Sequence, residues 1–98
     1  MNYDLEAHRC PNAQVIANRV LLAFAESGDN QLVIKSIEPS LHRSLLARIE
    51  GQSLAMDIAS AESSPINERQ RQAWLESFDE DDFEDVQVQL EFTINKRG

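Results

Sequence analysis

The chain carries one cysteine, Cys10, in 98 residues. No disulfide can form within it, and a reducing compartment is its natural setting. Three glycines and three prolines leave no composition for a linker, and no internal repeat is present. Walker loop, dinucleotide glycine pattern, H-E-x-x-H zinc pair and nucleophile elbow are all missing. The longest apolar run, Val20 to Ala25, is far too short to span a bilayer, and the N-terminus lacks the basic-then-apolar layout of a secretory leader. Basic residues are also scarce, with two lysines and seven arginines against seventeen acids. Such a chain cannot build the positive surface that neutralising phosphates requires, which argues against direct nucleic-acid binding. The expected setting is therefore cytoplasmic, away from membranes and nucleic acid.

What the chain does have is an ordinary globular composition, 42% apolar and 27% charged, with a formal net charge of −8. One domain over 1–98 of this size folds alone. The acidity is local. Six of the seventeen acids fall between Asp79 and Asp85, within FDEDDFEDVQVQLEF, and carry three quarters of the net charge.

Hydrophobic spacing outlines the elements. Residues 1–9 are polar, with isolated Tyr3 and Leu5, and form a loose or docked arm. After Pro11, the residues Ala13, Ile16, Ala17, Val20, Ala23 and Phe24 recur at helical steps, while Val15, Leu21 and Leu22 widen the apolar side to more than one flank. Gly28 is placed to close this helix in the left-handed conformation. Leu32 to Ile37 is a β-branched strand stopped at Glu38-Pro39. Two readings compete for the next segment. Pro39 to Glu50 can be a helix with Leu41, Leu45, Leu46 and Ile49 on one side. Alternatively Gly51-Gln52 turns a hairpin that pairs Ile49 with Leu54, Ala47 with Met56 and Leu45 with Ile58. The hairpin is preferred, because one register satisfies two segments at once. Ser64 and Pro65 open a second helix with Ile66, Gln70, Ala73, Trp74 and Phe78 along one side, Trp74 being a core residue. Val86, Val88, Leu90, Phe92 and Ile94 then alternate with polar residues in the clearest strand of the chain.

These elements give an α+β domain: a small antiparallel sheet of about four strands with two helices packed on one face. The order is α-β-β-β-α-β, or α-β-α-β-α-β if residues 39–50 are helical. This order in a small acidic chain is similar to that of class I type III secretion chaperones, which are dimeric and bind effector segments, although no shared motif accompanies it.

The acidic run fails the calcium-loop pattern. Counted from Asp79, the fifth position is Phe83 and the sixth Glu84, where a glycine must turn the chain; counted from Asp81, the third is already Phe83. Acid–base catalysis would need one carboxylate buried beside a pocket, and these acids sit in an exposed connection. His8 and Cys10 form an H-x-C pair that lacks further zinc ligands and an oxyanion site, and is more simply a surface histidine beside a partly buried cysteine. Three roles remain for the run: a solvated connection that protects the following strand, a docking patch for a basic protein, or an imitation of phosphate spacing. The two phenylalanines, Phe78 and Phe83, point to an ordered segment.

The expected function is thus a small acidic protein-binding module, an adaptor, chaperone or inhibitor, and not an enzyme. Its partner would be a protein with a basic surface, met by Asp79, Glu80, Asp81, Asp82, Phe83, Glu84 and Asp85. No cofactor and no metal site are expected, and a homodimer is compatible with the sequence. Two other classes stand beside this reading: a structural subunit that pairs through its C-terminal strand, and a small metal-dependent enzyme or regulator around His8, Cys10 and the acids.

Overall fold

The alternating C-terminal run does form a strand, and the whole sheet is arranged about it. In the computed structural model, which describes residues 1–97, the elements are β1 (Asn2–Asp4), α1 (Asn12–Glu26), β2 (Gln31–Ser36), α2 (Leu41–Gly51), β3 (Met56–Pro65), α3 (Glu68–Trp74), a single 3-10 turn (Glu80–Asp82) and β4 (Val88–Lys96). The strand order is β1-β2-β4-β3. β4 runs antiparallel to both β2 and β3, so those two strands are parallel to each other although they never touch. β1 pairs with β2 in parallel. The architecture is α+β as expected, but the sheet is mixed.

That arrangement decides the segment after β2. Parallel strands cannot be joined by a tight turn and need a crossover over the sheet. Residues 41–51 accordingly form α2, the alternative reading, and the hairpin centred on Gly51-Gln52 does not exist. Leu41, Leu45 and Ile49 supply a buried stripe, while Leu46 remains exposed. The helix closes where the hairpin was expected to turn. The Ser53 amide donates to the Glu50 carbonyl and the Leu54 amide to the Ile49 carbonyl at 2.9 Å, with Ser53 in the left-handed conformation. This is a Schellman closure, and Leu54 completes it by packing on the core.

α1 makes the same kind of crossover between β1 and β2. Ala13, Ala17, Val20, Leu21 and Phe24 are buried at helical spacing, whereas Val15 and Leu22 are exposed, so one flank is covered rather than two. Its end does not use Gly28. Ser27 leaves the helix extended, and both its amide and its hydroxyl donate to the Phe24 carbonyl. The 1–9 arm is docked: β1 joins the sheet, and Leu5 and Ala7 are fully buried. The main core gathers Leu5, the buried faces of α1 and α2, and Leu32, Ile34, Met56, Phe92 and Ile94 of the strands. Both helices therefore cover one face, and the other face of the sheet is open.

A second, smaller core of Ala7, Ile37, Trp74, Phe83 and Val86 closes one end of the sheet. Ile37 follows β2, Ile66 follows β3 and Val86 precedes β4, so the 66–87 connection folds over the strand ends. α3 is shorter than the spacing implied and starts later. β3 runs through Ser64 and Pro65, and the cap falls to Asn67, whose side chain accepts from the Gln70 amide while the Gln70 side chain accepts from the Asn67 amide.

Phe92 is buried at the centre of the main core, so Phe92→Ala is expected to lower unfolding free energy by about 3–5 kcal/mol. Val88→Ala, on the same strand but exposed, is expected to change it by less than about 0.5 kcal/mol. Urea unfolding of both variants checks the placement of the core.

Candidate partner-docking surface

The acidic segment folds turn upon turn. The Asp82 amide donates to the Asp79 carbonyl, the Phe83 and Glu84 amides to the Glu80 carbonyl, and the Val86 amide to the Phe83 carbonyl. Beneath it, Phe83 is only 2% exposed and meets Trp74 edge to face, with ring centroids 5.4 Å apart. This pair supplies the apolar anchor that fixes where the loop sits.

Two arginines supply polar anchors, and they grip the loop chiefly through its main chain. Arg71 of α3 donates to the carbonyls of Phe83, at 2.9 Å, and of Val86. Arg9, from the N-terminal arm, donates to the Asp82 carbonyl at 2.8 Å and lies 3.8 Å from the Asp85 carboxylate. The acids themselves point outward. Asp79, Glu80, Asp81, Glu84 and Asp85 are exposed and Asp82 is half-buried. The Asp85 side chain keeps 78% of its surface despite the ion pair. Of the residues expected to meet a partner, Phe83 alone is inaccessible, serving as the anchor under the surface that the acids present.

Arg9 is in turn held by Glu38, a buried carboxylate just past β2. Glu38 accepts from Arg9 Nε at 3.1 Å, the Cys10 amide at 3.1 Å, the Ser40 amide at 3.0 Å and the Ser40 hydroxyl at 2.9 Å. Burial pushes this carboxyl up, but the bonds from the Ser40 amide, the Cys10 amide, the Ser40 hydroxyl and Arg9 together pull it down to about 2. One side chain thus ties the arm, the entry to α2 and, through Arg9, the acidic loop.

The remaining candidates separate. Cys10 is exposed rather than partly buried, with its sulfur 3.4 Å from the Ser40 hydroxyl. The His8 ring packs edge-on against Phe78 at 4.8 Å. Among the described residues no three His, Cys, Asp or Glu side chains converge as a metal ion would require, the acidic run included. No helix of the described residues is long and apolar enough to cross a membrane. The chain matches no protein-family model and no curated protein.

Sequence reasoning did not find Glu38, Arg9 or Arg71. The one local signal was Glu38-Pro39-Ser40, where a serine two residues past an acid can hydrogen-bond back to it. Arg9 and Arg71 carry no signal, because their acceptors lie 73 and 12 residues away in the chain.

Glu38→Gln is expected to cost about 2 kcal/mol at neutral pH, since it leaves charge-assisted bonds weakened in a buried site. The folded-state value lies below the ordinary 4.5, so the stabilisation is present above pH 4.5 and is lost as pH falls toward 2. Acid unfolding of the wild type should therefore be steeper through that window than that of Glu38→Gln.

Proposed function

We propose that the chain is a small cytoplasmic binding module, without catalytic activity, that docks a basic protein surface on the 79–85 acidic segment. The observation that carries this reading is the division of labour in the loop. Its guanidinium partners reach it mainly through backbone carbonyls, with Asp85 the one acid of the segment paired to an arginine, so the loop is held in shape while most of its negative charge stays unneutralised and exposed. Charges carried on an anchored backbone also lose less entropy on binding than those of a floppy acidic tail. Opposite charge on the partner would speed encounter and set orientation.

The structural-subunit alternative changes form. β4 lies between β2 and β3, so both of its edges are occupied, and any strand pairing with another chain falls to an edge strand.

Replacing the six acids of 79–85 with Asn or Gln should abolish capture of partners that wild type retains at low salt. Raising salt to 1 M, where the screening length is about 3 Å, should release the same partners. Partners retained in both conditions would remove the acidic-segment reading. Arg71→Ala leaves every carboxylate in place but frees two carbonyls. It is expected to speed amide exchange over residues 82–86 and weaken partner binding several-fold, whereas unchanged binding would mean that charge alone suffices.

A further inference from the structure

One row of charged side chains crosses the open face of the sheet through all four strands. Asp4 of β1 lies opposite Lys35 of β2, Lys35 opposite Glu91 of β4, and Glu91 opposite Glu62 of β3. All four are exposed. The signs alternate from β1 to β4 and then repeat, leaving two carboxylates side by side at the β3 edge. Directly opposed like charges weaken a strand pair. Neither Glu62 nor Glu91 has an ion-pair partner within 4.0 Å among the described residues. The other acid of β3, Asp57, is already held by Arg97 through two bonds of 2.9 and 2.8 Å.

β3 is also an unpaired edge. It ends the strand order, and Ala61–Pro65 are exposed without exception. The outward half of its main-chain donors and acceptors therefore lacks a ladder partner within the sheet. A register irregularity between Ile58 and Ser60 and the proline at position 65 bound the regular stretch at its two ends. Between them stands no lysine or arginine of the kind that commonly closes such an edge.

From these features we infer that β3 accepts a further strand from a partner protein, an extended segment carrying lysine or arginine opposite Glu62. The segment's backbone would pair with the free edge, and its cation would continue the alternating row, with Cβ atoms about 4.5–5.5 Å apart across the new pair. A second copy of this chain does not fit through either of its edge strands, because the only charged side chains there are Asp57 and Glu62 in β3 and Asp4 in β1, which would add negative charge without a side-chain cation. The inference is independent of the 79–85 reading and concerns a different surface.

The test is titration of the full chain, followed by amide shifts and hydrogen exchange, with a short blocked peptide of alternating valine and threonine around one central lysine. Controls are the same peptide with glutamate for lysine, and the lysine peptide N-methylated at alternate residues so that it cannot form a ladder. The lysine peptide should shift and protect amides within residues 59–64. It should bind Glu62→Lys about three- to tenfold more weakly, while that variant should prefer the glutamate peptide. The chain with the six acids of 79–85 neutralised should still bind it. The inference is overturned by absence of change in β3, by equal binding of the methylated peptide, or by self-association through β3 without peptide uptake. Binding lost on neutralising 79–85 but indifferent to Glu62→Lys would also overturn it, while leaving the acidic-segment reading intact.

Discussion

The insertion of β4 between β2 and β3 is the constraint from which the rest of the molecule follows. Because β2 and β3 run the same way on either side of an antiparallel neighbour, the chain between them must cross the sheet, and a helix is the economical crossover. The same holds for β1 and β2, joined by α1. Two crossovers on one face bury Leu32, Ile34, Phe92 and Ile94 and leave the opposite face wet. The return from β3 to β4 then has to pass over the end of the sheet, and the acidic segment lies on that return.

At that end the molecule faces a physical difficulty: a stretch dense in carboxylates repels itself and gains little from folding. Phe83 on Trp74 contributes the apolar burial that offsets the ordering entropy. Arg71 and Arg9 satisfy carbonyls that a short irregular segment would otherwise leave to water. Glu38 pre-orients Arg9, and its four bonds outweigh the cost of burying its charge, which is why its carboxyl is held well below the usual range. The result is an acidic segment whose backbone follows one course while its carboxylates face water.

Much of this was legible beforehand and some was not, for reasons visible in particular residues. The stripe from Ala13 to Phe24 and the alternation from Val88 to Ile94 each exceed the length at which period alone distinguishes helix from strand. Leu41 to Ile49 did not, because a short apolar pattern satisfied both periods, and the hairpin register was self-consistent without being consistent with the sheet. Val15 and Leu22 widen the apolar side of α1 in the sequence yet stay exposed, because periodicity reports which residues could be covered, whereas coverage depends on what packs there. At the candidate site, the exposure of the acids and the anchoring role of the phenylalanines could be read locally. The arginine and glutamate contacts beneath them could not, since hydrogen bonds between side chains and distant carbonyls leave no trace in spacing.

The amino-acid sequence by itself determined the α+β class, the position and sign of the dominant charge, and the identity of the last strand, because these depend on composition and on periods within one segment. Tertiary structure alone decided that residues 41–51 are helical, that β1 and β3 rather than β4 are the edges of the sheet, and that Asp4, Lys35, Glu91 and Glu62 stand in one row. Each of those outcomes rests on which strands become neighbours. That is a property of the closed core as a whole, and no single stretch of the chain contains it.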